Sequence, residues 1–150
     1  MSQFTPPTQS IEDVQKDLVK RFTHFDNWKD RYKYLIDMGK TLQKMDDSLK
    51  TEENRIHGCQ SQVWIHIDEK DGRLYMQATS DAAIVAGLIA MLLRIYNGRT
   101  PEEIANAPLD FLAEIGLLQH LSPNRSTGLY HMIKRIQGEA QKRLSQTPPH

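Results

Sequence analysis

Apolar positions along this chain recur first at helical spacing, then at strand spacing, then at helical spacing again. Ile11, Val14, Leu18, Phe22 and Phe25 fall on one face of a helix that Ser10 can cap. Asp26 or Asn27 can cap a second helix, antiparallel to the first, whose apolar face is expected to run through Trp28, Tyr32, Leu35, Leu42 and Met45. Asp46 to Glu53 is charged, shows no periodicity and reads as a loop. From Val63 to Asp68 the period changes to two: Val63, Ile65 and Ile67 alternate with Trp64, His66 and Asp68, the mark of a half-buried strand. The Asp71-Gly72 pair signals a hairpin, and from Arg73 onward Leu74, Met76 and Ala78 alternate with Tyr75, Gln77 and Thr79 in a returning strand. If Asn54 to His57 also pairs, the sheet has about three strands.

After the sheet the pattern is helical to the end. Ser80 or Asp81 can cap a helix that is apolar nearly all round through Leu93 and should end near Asn97-Gly98. A helix without a polar face belongs in the core. Thr100-Pro101-Glu102-Glu103 combines an N-cap, a proline at the first helical position and a capping-box carboxylate, and Pro108 ends the short helix it starts. Asp110 to Ile115 gives another helical piece before Gly116. Ser122-Pro123 opens a final helix whose apolar face is Leu129, Met132, Ile133, Ile136 and Ala140. The order predicts an α+β fold, a small antiparallel sheet packed against several α-helices. One domain is expected over residues 10–144, with residues 1–9 (Pro6-Pro7) and 145–150 (Pro148-Pro149) as disordered tails.

Composition narrows the function classes. Lys plus Arg and Asp plus Glu both count 19 in 150 residues, so there is no basic stripe and nucleic acid is not an expected partner. The longest apolar run, Ala82 to Leu93, is too short to span a bilayer, and the N-terminus lacks the basic and apolar regions of a signal peptide. The expectation is a soluble cytoplasmic protein with no membrane contact, where a thiol stays reduced. With a single cysteine, Cys59, no internal disulfide can form.

Cys59 is therefore the centre of the candidate chemistry. Free cysteines are commonly small core residues. This one follows Gly58 and precedes Gln60-Ser61-Gln62, so it has no apolar run beside it and reads as a thiol on a bend between extended segments. The string Ile56-His57-Gly58-Cys59-Gln60-Ser61-Gln62-Val63-Trp64 resembles the signature of the SufE family, sulfur acceptors that work with cysteine desulfurases in iron–sulfur cluster assembly. Ser80-Asp81-Ala82-Ala83-Ile84-Val85 with Gly87-Leu88, and Leu121-Ser122-Pro123-Asn124-Arg125-Ser126 with Gly128-Leu129, resemble two further blocks of that family in the right order. Trp28-Lys29-Asp30-Arg31-Tyr32, followed by Leu35-Ile36 and Gly39, is similar to its early helix, and the likeness extends from about Val14 to Ile136. Gln60-Ser61-Gln62 and Ala82-Ala83 look more like SufE than its close relative CsdE.

The resemblance implies a SufE/IscU-like fold and a definite chemistry. Cys59 would take sulfur as a persulfide from a SufS-like desulfurase, stimulate that enzyme, and pass the sulfur to a SufB-like scaffold complex. The chain would be a carrier rather than an enzyme and need no cofactor of its own, the pyridoxal phosphate belonging to the desulfurase; a homodimer is left open. The absence of a second, resolving cysteine suits a carrier, because such a thiol would attack the persulfide and expel sulfide. His57 would point to the same side as Cys59 in an extended segment and could assist the thiolate, or it could be an ordinary exposed histidine. Asp81 reads as a helix cap, and the resemblance adds a place near the cysteine loop. Arg125 gains nothing from the dipole at a helix N-terminus, which makes it a candidate for partner recognition beside Gly58 and Gln60. Two other readings remain open: an Fe–S or zinc scaffold using Cys59 with His57, His66 or His120, and a one-cysteine peroxide-reactive redox protein.

Overall fold

A computed structural model describes residues 5–146. Helix α1 (Ile11–His24) is capped by Ser10, whose hydroxyl accepts from the Asp13 N–H, and helix α2 (Trp28–Gly39) by Asn27, which accepts from the Asp30 N–H. Strands β1 (Val63–Lys70) and β2 (Arg73–Ser80) form an antiparallel hairpin in the register Val63↔Ser80 to Lys70↔Arg73. Asp71 and Gly72 both take positive φ, 53° and 76°, as the two-residue hairpin turn with the favoured twist requires. Helix α3 (Ala83–Tyr96) follows, then α4 (Pro101–Ala105) with its complete Thr100–Glu103 capping box, α5 (Asp110–Ile115), α6 (Leu117–His120) and the long α7 (Pro123–Gln146). Leu88, Ile89, Met91, Leu92 and Ile95 of α3 are sealed from solvent, with α2 packed on one side and β2 on another. Leu129, Met132, Ile133, Ile136 and Ala140 of α7 are buried as the periodicity predicts.

The α+β class stands, with differences in detail. The sheet has two strands, not three. Residues 54–56 meet β1 through a single bridge, Arg55↔Trp64, in which the Ile56 N–H donates to Val63 O at 2.9 Å and the Ile65 N–H to Asn54 O at 2.8 Å. The left-handed Gly58, at φ 88°, then bends the chain away before a ladder can form. The other edge is met by another single bridge, Leu74↔Arg99. Helix α2 ends at Gly39, so Leu42 and Met45 lie beyond it, Met45 still buried. Its end coincides with the crossing of α2 on α3, where a Cβ on Gly39 would lie 2.7 Å from the Gly87 nitrogen.

The ends also differ from the expected tails. Pro7 lies against Gly98, and the buried Arg99, 3% exposed, donates from its guanidinium to Gln9 O at 2.6 Å, so part of the segment before Ser10 is tied to the domain. At the other end α7 continues through Ser145 to Gln146, past the expected boundary at 144. The rest of the expected tails, residues 1–4 and 147–150, lies outside the described residues.

Candidate functional site

Cys59 sits where three separate parts of the chain converge. The bend at Gly58 turns the residue toward α7, and its half-buried thiol rests over Gly128, with Sγ 3.8 Å from the Gly128 carbonyl oxygen. A Cβ on residue 128 would lie 3.4 Å from that sulfur, in van der Waals contact, so the thiol sits directly over the glycine. Around it is a cleft of about 260 Å³ walled by the loop itself, by Ala82 and Val85 at the start of α3, and by Ser122, Arg125 and Met132 of the α7 region. Each of the three sequence blocks singled out above contributes a wall.

Burial pushes the Cys59 thiol above its ordinary pKa. The nearby carbonyl can accept from S–H but offers nothing to S⁻, so the docked position favours the neutral, unreactive form. The stability contributed by the buried neutral thiol is fully present below the unfolded-state pKa and is lost as pH rises through the higher folded value. In the free protein, the rate of Cys59 alkylation plotted against pH is expected to have its midpoint above the usual cysteine value of about 8.5. A midpoint at or below that value would contradict a sheltered resting thiol.

Asp81 does not cap α3. The N-cap is Ala82, without a side-chain bond, and the Ala82 N–H is taken by Ser80 Oγ at 3.2 Å. The Asp81 carboxylate instead accepts from the Gln62 N–H at 3.0 Å, closing the far side of the thiol loop. Asp81→Ala should loosen that closure, raising the alkylation rate of Cys59 several-fold at fixed pH, by the worth of a charge-assisted hydrogen bond. An unchanged rate would mean that the bond does not restrain the loop.

Gln60 is held from the other wall, its Oε1 accepting from Asn124 Nδ2 at 3.0 Å. Arg125 lines the cleft with an exposed side chain, and among the described residues its guanidinium has no ion-pair partner. Of the two readings of His57 the ordinary exposed histidine holds: the left-handed Gly58 interrupts the extended chain that would have set residues 57 and 59 on one side, and the exposed imidazole pairs with Glu52 at 2.8 Å. His66 engages Asn54 and Asp68, and His120 stacks on Trp28, so neither histidine joins Cys59. Among the described residues no group of three or more His, Cys, Asp or Glu side chains is placed to hold a metal ion.

Sequence reasoning passed over His131, Asn124 and Gly128 as individual contributors. Gly128 is the floor under the thiol, and the His131 ring lies against Gly58, where a Cβ would come within 2.6 Å of Nε2. The available signal was a second stripe on α7, at positions 124, 128 and 131, beside the apolar one.

The family model of the SufE "Fe-S metabolism associated domain" matches residues 16–140. An uncharacterized SufE-like protein of Rhizobium meliloti is 43% identical over 132 residues, 85% of this chain and 94% of that protein. Another from Rhizobium etli is 40% identical over 133 residues, covering 85% and 90%. Among solved structures, the solution structure of a hypothetical protein from Thermus thermophilus superposes with a TM-score of 0.73 at 22% identity, over 89% of this chain and 97% of that one, a likeness of fold.

Proposed function

We propose, from the premise that this chain belongs to the SufE family and so to Fe–S metabolism, that it accepts sulfur on Cys59 from a cysteine desulfurase and passes it to an iron–sulfur cluster scaffold. The observation that carries the reading is the position of the sole cysteine, half-buried in a cleft built from three separated blocks, on a bend pinned by side chains at the edge of the core.

The transfer is a displacement at sulfur. Cys59 loses its proton on leaving the Gly128 carbonyl, and the thiolate attacks the outer sulfur of the desulfurase persulfide. The S–S bond of that persulfide breaks, the desulfurase cysteine departs as thiolate, and Cys59 carries the new persulfide with no external oxidant or reductant. A second displacement by a scaffold thiol returns Cys59 to its starting state. The chain supplies the thiol, a loop that can present it, and a cleft that can shelter it. Its resident chemistry calls for no cofactor; pyridoxal phosphate acts on the desulfurase. Arg125, a cation at the rim without an ion-pair partner among the described residues, fits a contact with an acidic feature of the desulfurase. The place of work in this reading is the cytoplasm, where reducing conditions keep a carrier thiol free. Among the described residues no helix is long and apolar enough to cross a membrane.

The test mixes the protein with a cysteine desulfurase and free cysteine and records intact mass without reductant. One added sulfur on this chain together with faster alanine release is expected. No added sulfur and no stimulation across SufS-like desulfurases would overturn the proposal.

A further inference from the structure

One stripe of α7 runs antiparallel beside the thiol loop and touches it along its length. Arg135 donates from Nη2 to Glu53 O at 2.8 Å, the imidazole of His131 meets Gly58, Gly128 lies under Cys59, and Asn124 donates to Gln60 at 3.0 Å. These four helix positions, 124, 128, 131 and 135, repeat at three- and four-residue spacing and so share one face. The two end contacts are hydrogen bonds to flexible or exposed groups. The central contact is of another kind: a half-buried aromatic ring fills the space a side chain on residue 58 would need, with Nε2 at 2.6 Å and Cδ2 at 2.7 Å from the Cβ position.

We propose that His131 is a positioning residue for Cys59: its ring is the seat for the left-handed Gly58 bend, and by holding that bend against α7 it keeps the thiol over Gly128 inside the cleft. Glycine at residue 58 then answers two separable demands, its φ of 88° and the ring that occupies the Cβ position. The ring is matched to a bare backbone, and the loop has one preferred resting place. Without the ring, the bend loses its backstop, the loop spends more time open, and the thiol meets solvent and reagents more often.

The inference takes Cys59 as the reacting group from the proposed function, but its test needs no desulfurase. Alkylation of Cys59 by iodoacetamide is timed in the full chain at fixed pH, with thermal unfolding followed in parallel. His131→Ala should be alkylated about five- to tenfold faster than wild type, the scale expected for loss of one packed contact. Its thermal midpoint should stay near that of wild type, since the ring holds a local loop. His131→Phe, which keeps a planar ring at the seat, should restore slow alkylation. Gly58→Ala should speed alkylation in wild type and do so by a smaller factor in the His131→Ala background, because only the φ cost is then left. Wild-type alkylation in His131→Ala, equal speed in His131→Phe and His131→Ala, or an undiminished Gly58→Ala effect in the double variant would each overturn the role. Failure of the sulfur-transfer assay would leave these rates standing, and unchanged rates would leave sulfur transfer standing.

Discussion

Cys59→Ser should abolish sulfur acceptance while leaving the fold in place. A serine hydroxyl has nearly the shape of the thiol but does not ionise at neutral pH, and oxygen does not form a stable sulfur-bearing intermediate equivalent to a persulfide. The structural cost is small, because the thiol is half-buried, its polar contact among the described residues is a long one to Gly128 O at 3.8 Å, and a half-buried hydroxyl can exchange hydrogen bonds with solvent instead. A stability change of about 1 kcal/mol or less is expected. Intact mass after incubation with desulfurase and cysteine should show no added sulfur on the variant, and stimulation of alanine release should fall to the level of desulfurase alone. Retained stimulation without sulfur uptake would make the chain an activator whose effect comes from docking. Sulfur found on the serine variant would move the acceptor away from residue 59.

Gly87→Ala should cost most of the stability that a single methyl can cost. The residue lies within α3, where alanine is ordinarily favoured over glycine by about 1 kcal/mol. Here the added methyl would press into the Leu35 carbonyl group of α2, within 2.7 Å of its carbon, and Gly39 approaches the Gly87 nitrogen nearby. The obstacle is backbone on a packed neighbour, so neither side can rotate out of the way and the two helices must separate. A loss of about 3 kcal/mol or more is expected, overwhelming the propensity gain, and the thermal midpoint should fall by roughly 10 °C. Gly138→Ala supplies the opposite sign: it lies at an exposed position of α7 with nothing within 4 Å of the new methyl, and should stabilise by about 0.5–1 kcal/mol. Equal midpoints for the two variants would mean that the α2–α3 crossing is looser than its geometry implies.

What could be read from the chain was what neighbouring residues decide among themselves. Ser10, Asn27 and Thr100 each bond an N–H three residues on, so their caps were visible as local strings. Asp71-Gly72 carries its turn in its own backbone angles, and the apolar face of α7 is a periodicity. The places where the reading slipped are set by distant partners. Asp81 looked like a cap because it stands just before a helix; its carboxylate is taken by Gln62, nineteen positions away in the chain. Leu42 and Met45 continue the α2 periodicity on paper, but the helix stops at Gly39 beside α3. The same asymmetry holds for the site. Its candidate thiol was identifiable as the lone cysteine in a recognisable string, while the ring of His131 became visible only when α7 was laid beside the loop.

The dependence of the cleft on α7 also has a consequence during synthesis. Gly128, Asn124 and His131 follow Cys59 by a long stretch of chain, so a ribosome exposes the thiol well before the helix that will cover it exists. Through that interval Cys59 lacks its floor and its seat, and chains arrested or cleaved before residue 123 would carry a thiol without the α7 wall of its cleft. Docking of α7 is thus the event that turns a bare cysteine into a guarded one.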